Sequence, residues 1–125
     1  MKTIFLSIIM LVISSGVIAA SPTCSSAYGG YCNYEGKVQK VYINSGGLIL
    51  IYFNKAIDVS VASEAGFTIT NGSAAAFTVT KNPDFAKMFY STALAAQASG
   101  RNVTIQMTGV NSGYLEFDRI WLAAP

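Results

Sequence analysis

The chain contains no histidine, and only two of its 125 residues are cysteine. Without an imidazole there is no Ser–His–Asp or Cys–His pair to activate a nucleophile. The usual zinc-hydrolase ligand sets are missing too, and no side chain titrates unaided near neutral pH. Charge is equally scarce: eight Lys and Arg against six Asp and Glu leave a net +2. The basic residues are scattered rather than gathered in a stripe, so no nucleic-acid groove is expected. Neither Gly29-Gly30 nor Gly46-Gly47 is followed by the lysine and helix of a phosphate loop, and no calcium-loop pattern occurs. No cofactor and no metal are expected.

What is present starts with the N-terminus. Lys2 precedes an apolar run from Ile4 to Ile13, and Ser14-Ser15-Gly16 leads into Val17-Ile18-Ala19-Ala20. This reads as a signal peptide over residues 1–20, with small residues at the cleavage point. The run is shorter than the ~20 residues that span a bilayer, and no second run follows. The expectation is an exported protein, secreted or periplasmic, with no transmembrane segment in the mature chain. About 105 residues would remain, enough for one domain. In an oxidising compartment Cys24 and Cys32 should form a structural disulfide, and their spacing is not that of a dithiol redox motif. They define a disulfide loop over 21–36, ahead of a barrel domain over 37–125.

Apolar β-formers then arrive in bursts. Lys37 to Asn44 and Leu48 to Ile57 read as two strands of a hairpin around Ser45-Gly46-Gly47. Leu48 to Phe53 is apolar on both faces, which calls for cover on both sides, in a small barrel or at a subunit contact. That is the sequence argument for a homo-oligomer. Gly66 to Thr70 and Ala76 to Thr80 alternate cleanly around an Asn71-Gly72-Ser73 turn and read as strands. Asn82-Pro83-Asp84 opens a helix that should run to Ser99 and stop at Gly100. Phe85, Met88, Phe89, Thr92, Ala95, Ala96 and Ser99 share one helical face, with Tyr90 and Leu94 opposite. Asn102 to Thr108 and Tyr114 to Ala123 form the closing strands, joined by a loop over Gly109 to Gly113. Leu115 and Phe117 differ in parity from Ile120 and Leu122, which predicts a bulge near Asp118–Arg119.

This order predicts a mainly β, α+β fold: a five- to six-stranded barrel of oligonucleotide/oligosaccharide-binding (OB) type carrying one helix. The stretch from Phe89 to Ile105, FYSTALAAQASGRNVTI, resembles the helix-to-strand junction of small exported proteobacterial proteins of unknown function. With the strand order around it, the segment also resembles the B subunits of subtilase-type and pertussis-like AB toxins. Those are pentamers of the same fold that bind cell-surface glycans. The resemblance implies a ring-forming, glycan-binding role but carries over no contact residues, and in those toxins the disulfide joins distant strands.

An enzyme built from this composition would have to run on carboxylates. Glu116 and Asp118 lie two apart on one strand, so their carboxyls could sit ~6–7 Å apart, near the lower end of the range for an inverting glycosidase. The plainer reading is a solvated strand face beside Arg119. The aromatic residues offer the other resource, because a sugar ring stacks its C–H face on an aromatic while its hydroxyls bond polar neighbours. Tyr28 and Tyr31, amid Ser25, Ser26 and Asn33, fit that description, as does an outward-facing Trp121. The sequence therefore points first to an exported, non-catalytic binding or assembly module with a glycan as partner. A small carboxylate glycosidase, or a periplasmic inhibitor or structural envelope protein, is the alternative.

Overall fold

A computed structural model describes residues 21–125; the expected signal peptide, residues 1–20, lies outside the described residues. Seven strands form one sheet: β1 (Thr23–Ser25), β2 (Tyr31–Gly36), β3 (Val38–Ile43), β4 (Leu48–Phe53), β5 (Ala74–Thr78), β6 (Val103–Asn111) and β7 (Tyr114–Leu122). Two α-helices interrupt them, α1 (Val59–Glu64) and α2 (Pro83–Ser99). The fold is mainly β with one principal helix, as the sequence implies. No helix among the described residues is long and apolar enough to cross a membrane.

The hydrogen-bonded order is β1-β2-β6-β7-β5-β4-β3, with every pair antiparallel except β5 and β7. The sequence order explains why this sheet curls. A single residue, Lys37, separates β2 near one edge from β3 at the other. So short a link holds its two ends within two Cα steps of one another. β2 and β3 are thus two halves of one bent strand, the first paired to β6 and the second to β4. The result is a partly open five-stranded barrel with β1 added outside, the OB arrangement. Residues 21–36 are accordingly not a loop ahead of the barrel. They are a disulfide-pinned hairpin whose second strand belongs to its wall, with Cys24 directly opposite Cys32.

Tyr34 fastens the bend. Its ring is fully buried and stacks on Phe53 at 4.2 Å. Its hydroxyl donates within reach of the Lys37 carbonyl (2.6 Å) and of Asn54 Oδ1 (2.5 Å), and accepts from the Asn54 amide at 3.1 Å. Burial pushes the phenol above its ordinary value of 10.0, partly opposed by the Asn54 amide. A raised folded-state value means the native phenol keeps its proton after the unfolded one has lost it. This contribution is therefore complete at neutral pH and is lost as pH climbs past about 10. Tyr34→Phe should cost about 2 kcal/mol at pH 7 through the hydrogen-bond partners it strands, and should flatten the alkaline fall. Urea titrations at a series of pH values read both effects.

The helix α2 lies where the sequence places it, from Pro83 to Ser99. Asn82 Oδ1 accepts from the Phe85 amide at 3.1 Å, and Gly100 closes the helix at φ 66°. Its inward face differs from the expected one. Ala86, Phe89, Ala93 and Ala96 are buried, Phe85 and Tyr90 pack at the margin, and Met88 is 64 % exposed. Hydropathy ranks methionine above alanine, but the alanine stripe lets the helix approach the sheet closely enough for Phe89 to stack on Phe117 at 3.5 Å.

Residues 66–70 do not form a strand. Phe67 and Ile69 do point into the core, but the segment follows α1 and bonds to the β6–β7 turn, where the Gly113 carbonyl accepts from the Thr70 and Asn71 amides. Alternation reported which side chains go inward, not a ladder. α1 forms in a β-branched stretch that carries no helix signal; Asp58 caps it by accepting from the Ser60 hydroxyl (2.7 Å) and amide (2.9 Å), which hold its carboxyl below the usual range. The expected Leu48–Ile57 strand ends at Phe53, and the expected Gly109–Gly113 loop is a tight turn at Ser112-Gly113 with strand on either side. The doubly apolar β4 is covered on both faces within one chain. Leu50, on the outer face, is 5 % exposed beside Ala74 and Ala76, with Leu48, Tyr52 and Tyr114 packed around them. The need for a second copy to cover β4 therefore disappears.

Candidate functional site

The turn between β1 and β2 holds the first candidate residue in an unusual conformation. Tyr28 adopts φ 52°, in the left-handed region that disfavours side chains, and is 98 % exposed. Its neighbours fix this. The Gly30 amide donates to the Ala27 carbonyl at 2.9 Å, and the Ala27 amide donates to Ser25 Oγ at 3.2 Å. Gly30 itself sits at φ +94°, and a Cβ there would fall 2.4 Å from the Ala65 carbonyl oxygen, so the turn is pressed onto the end of α1. The disulfide closes the base. An aromatic ring is thus held out in water by a rigid, strained turn, an arrangement typical of functional loops.

Tyr31 begins β2, and strand register decides what it meets. Asn33 pairs with Gln106 and Gln106 with Arg119, forming one row across β2, β6 and β7. Glu35, Thr104 and Trp121 form the next row. Adjacent strands lie ~4.8 Å apart, and residues two apart on a strand share a face. All of these side chains therefore stand on the outer face, while Cys32, Tyr34, Ile105 and Met107 between them are buried. Tyr28, Tyr31, Gln106, Thr108 and Arg119 line a single open cleft of about 380 Å³. Trp121, 49 % exposed, stands two residues along β7 from Arg119. The three aromatics singled out separately in the sequence thus belong to one surface.

Its polar groups are only partly committed. Gln106 Nε2 donates to Asn33 Oδ1 at 3.3 Å, which orients the amide beside the cleft it lines. Arg119 Nε donates to Asp118 Oδ2 at 2.9 Å, and among the described residues no acceptor engages its terminal nitrogens. This is stacking surface with a donor fork and an amide beside it.

The expected bulge is there and shapes the site. Gln106 pairs with Arg119 but Met107 with Phe117, leaving Asp118 as an extra residue in β7. One step on, Thr108 is the extra residue in β6, so two compensating bulges sit side by side. They restore Leu115, Phe117, Ile120 and Leu122 to one inward face and turn Thr108, Asp118 and Arg119 outward. A second cleft, of about 570 Å³, opens on the far side of the bulges and is lined in part by Lys81, Asn82, Met88, Thr108, Glu116 and Asp118. Glu116 is ion-paired to Lys81, and its other oxygen accepts from Asn111 Nδ2 at 3.1 Å. Both carboxylates of the suspected glycosidase pair are thus already matched to cations.

Arg119, Gln106 and Thr108 carry no site signal in the sequence alone. The alternation Thr104, Gln106, Thr108 was visible, but its position beside Tyr31 depends on the β2–β6 register, across 73 residues. Among the described residues no group of three or more His, Cys, Asp or Glu could hold a metal ion. No protein family, no curated protein and no solved structure matches this chain. The functional reading therefore rests on the class of fold, an OB-type barrel, and on the chemistry of this face.

Proposed function

We propose that the chain is an exported, non-catalytic carbohydrate-binding module, acting in the periplasm or outside the cell through the outer face of β2, β6 and β7. One observation carries the reading: Tyr28 and Tyr31 line a polar cleft with Gln106 and Arg119, and Trp121 stands on the same sheet face two residues along β7 from Arg119. Aromatic planes flanked by an amide and a guanidinium suit a pyranose, whose C–H face stacks while its hydroxyls exchange hydrogen bonds. The resemblance to toxin B subunits agrees with this role. The face is complete within one chain, so a ring is not required for binding. Catalysis is disfavoured by the ion pairs on Glu116 and Asp118, neither of which is left as an unengaged acid or base.

A glycan array probed with the protein and with a Tyr31→Ala/Arg119→Ala variant tests the reading. Binding by the wild type, with at least a tenfold loss in the variant (about 1.4 kcal/mol), is the expected result. The absence of signal on every glycan, or equal binding by the variant, contradicts it. Hydrolysis of a bound glycan by the wild type that disappears in Glu116→Gln would favour the glycosidase instead.

A further inference from the structure

The two clefts are not independent. Thr108 lines both, and Asp118 on one side and Arg119 on the other form the low wall between them. Resting on the carbohydrate-binding reading, we infer that they are consecutive subsites for one uncharged oligosaccharide. Its chain runs from Trp121 along β7, past Arg119 and over the paired bulges beside Tyr31, to Lys81 and Met88.

Length is the first argument. From Trp121 to Glu116 the outer face of β7 extends roughly 15 Å at the usual strand rise of ~3.3 Å per residue, a span of several linked sugar rings rather than one. The clefts offer about 380 and 570 Å³ at its two sides, each in the range of a ligand subsite. The bulges give the second argument. Each adds an unpaired residue at the midpoint of this path and turns a polar side chain, Thr108 or Asp118, toward it. Bulges re-aim side chains in this way beside binding sites.

Charge is the third argument, and it selects the ligand. The path carries two cations, Arg119 and Lys81, and each is already paired to a carboxylate, Asp118 and Glu116. Glu35 adds a further negative charge in the Trp121 row. A sulfated, sialylated or uronic chain would have to break these pairs or lie beside their acids. A neutral chain needs only donors and acceptors, and both ion pairs supply them.

The test is calorimetric titration of the whole exported chain with chito- and malto-oligosaccharides of one to six units, with sialyllactose and tetragalacturonate as anionic comparators. Affinity for at least one neutral series should rise about tenfold or more between monosaccharide and tetrasaccharide, and should be insensitive to added salt. Lys81→Met, which keeps the side-chain stem, should weaken the tetrasaccharide several-fold and leave the disaccharide unchanged. Tyr31→Ala should weaken both. Circular dichroism establishes that each variant is folded. A monosaccharide bound as tightly as the tetrasaccharide overturns the inference while leaving carbohydrate binding intact. So does tighter, salt-sensitive binding of an anionic sugar. Failure to bind any of these sugars overturns the inference, and a blank glycan array beside it overturns the binding reading as well.

Discussion

Phe117→Ala should lower the stability of the fold by about 3–5 kcal/mol, the cost of emptying a large aromatic site that neighbours cannot refill. Phe117 is fully buried on β7 at the centre of an aromatic cluster. It stacks on Phe89 of α2 at 3.5 Å and on Phe77 of β5 at 5.2 Å, and Phe85 stands 6.2 Å away. These contacts tie the helix to the one parallel strand pair, so the loss falls on the joint that seats α2 across the sheet. Collapse onto the vacancy is blocked because Ala86, Ala93 and Ala96 already hold the helix close. Urea or thermal unfolding measures the effect; for a domain of this size the midpoint should fall by at least about 12 °C. A loss below about 1 kcal/mol would mean that α2 does not seat on Phe117.

Gly72→Ala should be comparably severe for a different reason. A Cβ at Gly72 would fall 1.8 Å from the Ile57 carbonyl oxygen and 2.8 Å from its carbon, both backbone atoms that no rotamer change can move. The two backbones are held together by the Ile57 amide, which donates to the Gly72 carbonyl at 2.8 Å. The Phe53 amide donates to the Ser73 carbonyl at 2.9 Å just beyond. Relieving the clash means breaking these bonds and shifting the start of β5, a cost of about 3 kcal/mol or more. Gly46→Ala is the control. Its Cβ would meet nothing nearer than 3.3 Å, the end of the Asn44 side chain, and the variant should unfold within about 1 kcal/mol of the parent.

The contrast between these elements also shows what a sequence exposes. The limits of α2 were readable because every signal is local: Asn82 caps, Pro83 suits the first turn, and Gly100 takes the left-handed stop. The bulge at Asp118 was readable because it leaves a change of parity between Phe117 and Ile120. The closure of the barrel was hidden. The 31–36 segment alternates inward at Cys32, Tyr34 and Gly36, but two nearby cysteines equally suit a disulfide-closed loop. Recognising it as half of a bent strand needs the pairing with β6, some seventy residues away. The same non-local register conceals the site. Tyr28, Tyr31 and Trp121 were legible as exposed aromatics, while Arg119, Gln106 and Thr108 acquire meaning only when β2 lies beside β6 and β6 beside β7. The inward helix face differs from the hydropathy pattern because hydropathy rewards size, whereas a helix pressed against a sheet rewards its absence.

Trp121 is the chain's single tryptophan and half-exposed on the proposed face, so its fluorescence reports that surface without labelling. Titrating the protein with the neutral tetrasaccharide that calorimetry shows to bind should shift or quench this emission along the same saturation curve. A tetrasaccharide that saturates the protein while Trp121 emission stays unchanged would place the sugar on another face and contradict the account.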